Sequence, residues 1–92
     1  MKVRKKPVVV DAERWQVHGD NPAVLHYPEE AMEHSISQFC EICSLALWAH
    51  GWIETFEGGH IVCPNDWIIT GVKGEKYPCK PDIFELTYER VE

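Results

Sequence analysis

The sequence predicts an α+β domain in which a small antiparallel β-meander sheet carries one amphipathic helix packed on one face. Two observations lead to this class. Short β-favouring runs separated by Gly, Pro and Asn turns occupy both ends of the chain, and one segment between them repeats apolar residues at helical spacing. At 92 residues the chain has room for one hydrophobic core and not for two, so residues 1–92 are expected to form a single domain.

The first expected element is a strand. Residues 5–17 begin with a β-branched run and pass into alternation of apolar and polar residues. Pro7 near the start suits the first position of a strand or an edge. Residues 18–28 are rich in Gly, Pro, Asn and Asp, and this composition predicts a loop.

One amphipathic helix is predicted to begin at Pro28 and to end at His50-Gly51. Proline suits the first helical position, and the two glutamates that follow favour the positive end of the helix dipole. Ser35 and Ser37 are alternative caps for a helix that begins later. The apolar residues at helical spacing are Met32, Ile36, Phe39, Cys40, Cys43 and Leu47.

The second half of the chain predicts a β-meander. Gly58-Gly59 is expected to connect antiparallel strands at residues 52–57 and 60–63, because a two-residue glycine connection is typical of a hairpin. A turn at residues 64–66 and a short helix from Pro81 are also predicted. The two strands expected between them are residues 67–70 and 75–77.

Charge and hydropathy restrict the classes of partner. The formal net charge of −6 disfavours binding to duplex nucleic acid. No run of about 18 apolar residues is present, and the basic start passes into Pro7 instead of the apolar part of a signal peptide, so a cytoplasmic protein with no membrane partner is expected. The basic residues are nevertheless uneven, and three of them fall in one short segment: Lys73, Lys76 and Lys80.

The four cysteines allow several chemistries. Cys40 and Cys43 form a C-x-x-C pair that His60 and either Cys63 or Cys79 would complete as a tetrahedral zinc site. Structural zinc pairs usually occupy tight turns, whereas these two thiols fall on the apolar face of the predicted helix. Buried core thiols are therefore favoured, and no metal or cofactor is assigned.

Catalytic roles have weak support. A thioredoxin-type pair needs its first thiol at a helix N-terminus, and Cys40 is predicted about three turns into the helix. Cys79 has no histidine near it in sequence to act as a base. No catalytic residue is assigned, and the chain is not expected to be an enzyme.

A ligand-binding surface is predicted where Trp67 and Tyr77 bracket a glycine-rich, basic turn. Rings stack on nucleobases, lysines neutralise phosphates, and glycines let the backbone approach a ligand closely. A solvated turn with ordinary surface lysines is the alternative interpretation. The candidate ligand-binding residues are Trp15, Trp67, Gly71, Lys73, Lys76, Tyr77 and Lys80.

Residues 66–85, which read DWIITGVKGEKYPCKPDIFE, resemble a widespread group of short bacteriophage and prophage proteins. The same group typically opens like residues 4–8, followed by an aromatic residue in the position of Trp15. The resemblance covers roughly residues 4–16 and 52–90, and the segment 21–49 departs from it. Where the group often has Pro-Gly-Asp-Trp, Asn65 replaces the glycine, and asparagine tolerates the same left-handed conformation.

The resemblance implies a non-catalytic, phage-encoded accessory protein in the host cytoplasm. Small phage proteins of this kind include sponges that sequester the cyclic nucleotides of bacterial immune signalling, such as CBASS systems. The implied ligand is a small anionic cyclic oligonucleotide, bound by a homodimer or higher homo-oligomer. The alternative is a protein-interaction module that docks on a host enzyme or a virion component.

Overall fold

The part of the chain that the structure describes contains two small antiparallel sheets and two short α-helices, so the α+β class is confirmed. The computed structural model describes residues 1–33 and 38–91. In chain order the elements are β1 (Asp11–Arg14), β2 (Leu25–His26), α1 (Glu29–Glu33), a 3-10 helix (Leu47–Ala49), β3 (Gly51–Thr55), β4 (Gly58–Val62), β5 (Trp67–Thr70), β6 (Lys76–Cys79) and α2 (Pro81–Thr87).

The first sheet has the strand order β1-β5-β6. Its central strand β5 is where the sequence predicts it, and Ile68 and Ile69 on that strand are buried. Pro81 occupies the start of α2, as expected from its fixed backbone angle. The ring of Phe84 on α2 stacks on Trp67 of β5 with a centroid separation of 4.1 Å, and this contact fixes the helix on the sheet.

The second sheet has the order β2-β3-β4, and its hairpin differs in detail from the prediction. Thr55 pairs with Gly58, so the two connecting residues are Phe56 and Glu57, and the predicted Gly58-Gly59 turn is wrong by two residues. Gly58 has φ +112°, a conformation that glycine adopts without strain. The hydroxyl of Thr55 closes the turn by donating to the Gly58 carbonyl oxygen at 2.7 Å.

The hydrophobic core lies between the two sheets. Trp15 follows β1, and Ile53, Val62 and Ile68 come from β3, β4 and β5. Val24 completes this cluster, and none of the five side chains is more than 7% exposed. Strands from both sheets therefore share one core.

The predicted helix over residues 28–50 is wrong from residue 38 onward. α1 covers Glu29–Glu33, and the predicted positions Ser35, Ile36 and Ser37 lie outside the described residues. From residue 38 the chain forms a loop, in which Phe39 and Ala46 make an antiparallel bridge and Ser44 has φ +67°. The helix-like spacing of Cys40, Cys43 and Leu47 arises because the loop turns these side chains toward one cluster.

The N-terminal strand is shorter than predicted, since β1 begins only at Asp11. The turn at residues 64–66 agrees with expectation, because Asn65 has φ +80°, the left-handed conformation that asparagine tolerates. Within the described residues, no helix is long and apolar enough to cross a lipid bilayer.

Candidate metal centre

Three cysteines and one histidine bring their ligand atoms together beside the second sheet. The Sγ atoms of Cys40, Cys43 and Cys63 and a ring nitrogen of His50 all lie within 4.8 Å of one another. Three of the four residues are buried, and Cys43 is partly exposed. Cys40 and Cys43 lie in a loop, His50 directly precedes β3, and Cys63 directly follows β4. The fold therefore brings these four side chains together.

The first two ligands sit in a tight turn between residues 38 and 47. The Cys40 backbone amide donates to the Leu45 carbonyl oxygen at 2.8 Å, and the Ser44 amide donates to the Cys40 carbonyl oxygen at 2.9 Å. The left-handed conformation of Ser44 reverses the chain directly after Cys43. This is the setting that structural metal pairs usually have, so the helix-based reason for setting zinc aside does not hold.

The Cys40 sulfur accepts a hydrogen bond from the Ile42 backbone amide at 3.4 Å. Burial raises the pKa of the Cys40 thiol, but the backbone amides of Cys43 and Ile42 and the neighbouring thiols lower it by more, so the net shift is downward. Amide donors pointing at a sulfur stabilise the thiolate, which is the form that binds metals.

His50 is oriented as a ligand by its second ring nitrogen. Nδ1 lies 2.8 Å from the Ala46 carbonyl oxygen, and Nε2 lies 3.0 Å from Cys43 Sγ. A carbonyl is only an acceptor, so Nδ1 carries the proton and Nε2 presents its lone pair to the cluster. Burial lowers the pKa of His50, and the neutral ring that results is the form that coordinates a metal.

Cys63 enters from the turn that links β4 to β5. Its backbone amide donates to Asp66 Oδ2 at 2.9 Å, and the same carboxylate pairs with Lys80 Nζ at 2.9 Å. Burial raises the pKa of the Cys63 thiol to about 12, although the nearby Lys80 ammonium opposes this shift. A buried thiolate at this position therefore needs a cation beside it, and a bound divalent metal would supply that charge.

The donor set and the separation of two of its sulfur atoms fit zinc. Tetrahedral Zn²⁺ with Zn–S bonds of about 2.3 Å places its sulfur ligands about 3.8 Å apart. The Cys40 and Cys63 sulfurs are 3.8 Å apart, and all four cysteines of the chain are free thiols. Three thiolates and one imidazole are soft and borderline ligands, which favour zinc over magnesium or calcium.

Sequence reasoning identified part of this cluster. It paired Cys40 and Cys43 with Cys63, but it named His60 and Cys79 as the other candidates. His60 is exposed on β4, and neither it nor Cys79 belongs to the described cluster. His50 was missed because His50-Gly51 was interpreted as a helix end, although its position after a C-x-x-C pair was a usable signal.

The predicted ligand-binding residues occupy several different environments. Trp15 is fully buried in the core, so its ring has no exposed surface. Trp67 stacks on Phe84 and lies 5.4 Å from the Arg14 guanidinium, so other side chains pack against its ring. The Lys80 ammonium is paired with the Asp66 carboxylate.

Glu75 occupies the turn that was expected to receive phosphate. Its carboxylate accepts a hydrogen bond of 2.9 Å from the Lys73 backbone amide and lies directly over Gly71. Lys76 and Tyr77 do come together, in an open cleft of about 410 Å³ beside the β3–β4 hairpin. Lys76 Nζ also donates to the Thr70 hydroxyl at 2.8 Å, and the hydroxyls of Tyr77 and Tyr88 are 3.1 Å apart.

Comparisons with protein-family models, curated proteins and solved structures found no match to this chain.

Proposed function

We propose that this protein is a zinc-binding module in which Cys40, Cys43, His50 and Cys63 hold one structural zinc ion. The observation that carries this proposal is the meeting of four ligand atoms, from separate parts of the chain, within 4.8 Å. The hydrogen bond from His50 Nδ1 to Ala46 supports it, because metal-binding histidines usually have their other nitrogen fixed in this way.

The site is better suited to structure than to catalysis. Catalytic zinc keeps an open position for water or substrate, whereas four protein ligands complete a tetrahedral shell. A zinc ion bound by all four side chains would have no open coordination position, so it would activate no water. We infer a non-catalytic protein that acts by binding.

Zinc would stabilise a part of the chain that has little regular structure. Residues 38–46 contain no helix or strand longer than one bridge, and their apolar side chains are mostly exposed. A metal that joins this loop to the turn after β4 contributes what a larger core would contribute in a longer chain. The loop then presents a defined surface, as a binding module requires.

The test is the zinc content of protein purified without a histidine tag and dialysed against zinc-free buffer. We expect one zinc per chain by native mass spectrometry and by elemental analysis. Cys43→Ser and His50→Ala should each lose most of the bound zinc. Cys79→Ser is the matched control, since it removes a partly buried thiol outside the cluster and should retain one zinc. Wild-type protein that is fully folded as purified and binds no zinc even when zinc is added would overturn the proposal.

Nucleotide sequestration is the second candidate, and the cleft that Lys76 and Tyr77 line is the observation that favours it. Thr55 and His60 add polar groups to this cleft, and Glu57 and Glu75 oppose an anionic ligand there. A homo-oligomer that shares the cleft would supply further groups, as the phage-sponge resemblance implies.

A thermal-shift screen against cyclic di- and trinucleotides and linear nucleotides tests this second candidate. A ligand that binds only the folded state raises its stability by RT ln(1 + [L]/Kd). An upward shift with one cyclic nucleotide, lost in Lys76→Ala and Tyr77→Ala but kept in the surface control Glu85→Ala, would support it. Unchanged unfolding temperatures across the panel would exclude it.

A further inference from the structure

The loop that carries Cys40 and Cys43 exposes an unusual number of large apolar side chains. Phe39, Ile42, Leu45 and Trp48 are 57%, 60%, 46% and 74% exposed, and they fall within ten consecutive residues. We call these four side chains the metal-loop surface. Scattered exposed apolar residues are ordinary, but a concentrated group of them marks an interaction surface.

A groove of about 490 Å³ runs beside the metal-loop surface. Phe39 and Ile42 form part of one side, and Tyr27, Trp52 and Ile61 contribute further apolar walls. Trp52 is held in place because its indole nitrogen donates to Glu54 at 2.9 Å and its ring rests over Gly59. The groove therefore combines apolar walls with polar groups, is partly preformed and is of a size that accepts side chains of another segment.

The charged side chains that line this groove or lie on the neighbouring α1 are carboxylates. Residues 15–72 contain eight carboxylates and no lysine or arginine, whereas all nine basic residues lie in residues 2–14 and 73–90. Glu41 lines the groove, and Glu29, Glu30 and Glu33 are exposed on α1 next to it. A zinc ion with three thiolates and a neutral histidine would add one further negative charge.

We propose that the groove beside the metal-loop surface binds a segment of another protein in which lysine or arginine residues lie next to apolar side chains. Apolar groups would fill the space between Ile42 and Trp52, and basic groups would pair with Glu41 and the acidic face of α1. The inference goes beyond metal binding, because it assigns a partner to the surface that the metal loop forms.

The same charges disfavour the other occupants. Phosphate groups of nucleic acid or nucleotides would meet carboxylates at this groove. A second copy related by a two-fold axis would place one acidic face against another. A protein segment with both apolar and basic side chains matches the apolar walls of the groove and the carboxylates around it.

Two synthetic helical peptides test the proposal. Both have leucine at helical spacing, and the remaining positions are lysine in one and glutamate in the other. We expect the leucine–lysine peptide to bind zinc-loaded wild-type protein by isothermal titration at 0.15 M salt, at least ten times more tightly than the leucine–glutamate peptide. Binding should also change the fluorescence of Trp52, judged against Trp52→Phe.

Two variants that add the same charge separate the groove from general acidity. Ile42→Asp should weaken binding of the leucine–lysine peptide at least tenfold, although it makes the protein more acidic. Leu86→Asp, at a position 87% exposed on α2, should change binding less than twofold. Zinc content measured on both variants verifies that the metal loop is intact.

Equal binding by both peptides, or equal effects of the two variants, would overturn the proposal. The proposal would also be overturned if wild-type protein did not bind the leucine–lysine peptide, with or without zinc. A dimer that Ile42→Asp converts to a monomer would assign the groove to a second copy instead. Zinc content reports on the metal site independently, so failure of the peptide titration with zinc present counts against the groove alone.

Discussion

His50 Nε2 and Cys43 Sγ are in direct hydrogen-bond contact, 3.0 Å apart. The opposite nitrogen of the same ring lies 2.8 Å from the Ala46 carbonyl oxygen, within the loop that also carries Cys43. The loop thus positions two ligands and orients one of them. Only Cys63 must be supplied by a distant part of the chain, at the end of β4.

Removal of zinc should destabilise the protein. Zinc at 100 times its dissociation constant stabilises the folded state by about 2.7 kcal/mol. In a domain of this size that corresponds to a midpoint of thermal unfolding higher by roughly 10 to 20 °C. Differential scanning calorimetry with and without a chelator should show this decrease and its reversal by added zinc. An identical midpoint in both conditions would argue against a structural ion.

Replacement of Asp66 should lower stability more than replacement of an exposed carboxylate. Asp66 is 1% exposed, and its carboxylate accepts a hydrogen bond from the Cys63 backbone amide and forms a salt bridge with Lys80. Asp66→Ala leaves a buried amide without a partner and removes a charge pair, which costs about 2 to 4 kcal/mol. The exposed Glu85→Ala should stay within about 0.5 kcal/mol. Urea unfolding at a fixed zinc concentration measures both, and similar losses would refute the structural role of Asp66.

The contact between α2 and the first sheet should depend on Phe84. Its ring is parallel to Trp67 within 9°, at a centroid separation of 4.1 Å. Phe84→Ala should cost about 1 to 3 kcal/mol, because it removes the stacked ring and leaves part of Trp67 uncovered. Ile83→Ala, on the half-exposed neighbouring position, is the control and should cost less. Equal losses in the two variants would show that the stacking contributes little.

Tyr77 should make stability fall at alkaline pH. Burial raises the pKa of its phenol well above the ordinary value, and the neighbouring Tyr88 hydroxyl adds to this shift. A raised pKa in the folded state means that the folded protein retains this proton after the unfolded chain has lost it. The stabilisation is therefore complete below about pH 10 and is lost as pH rises toward the folded value. Chemical unfolding between pH 8 and 11 should show a weaker decline for Tyr77→Phe than for wild type.

The elements with strong local signals were predictable. Pro81 marked the start of α2, and the turn at residues 64–66 followed by a β-favouring run marked β5, because each depends on a few adjacent residues. The hairpin between β3 and β4 was also found, but its turn was misplaced. Gly59 was assigned to the turn, whereas it is the residue over which the Trp52 ring packs.

The loop over residues 38–46 was not predictable from spacing. Apolar residues separated by three or four positions indicate a helix only when they face one continuous surface. Here Cys40, Cys43 and Leu47 face a compact cluster, and the left-handed Ser44 interrupts any helix between them. The centre itself needed tertiary information, because Cys63 joins it only when β4 packs beside the loop.

Cobalt(II) substitution is the most direct measurement of the metal centre. Cobalt reports both geometry and ligand type, because tetrahedral sites absorb strongly in the visible range and thiolate ligands add a charge-transfer band in the near ultraviolet. Coordination by three thiolates and His50 predicts a tetrahedral spectrum with a charge-transfer band of the intensity that three thiolates give. The intensity of this band should decrease by about a third in Cys63→Ser and stay unchanged in Cys79→Ser. Equimolar zinc should displace the cobalt and abolish the spectrum. A weak octahedral spectrum without a thiolate band, in protein with reduced cysteines, would contradict it.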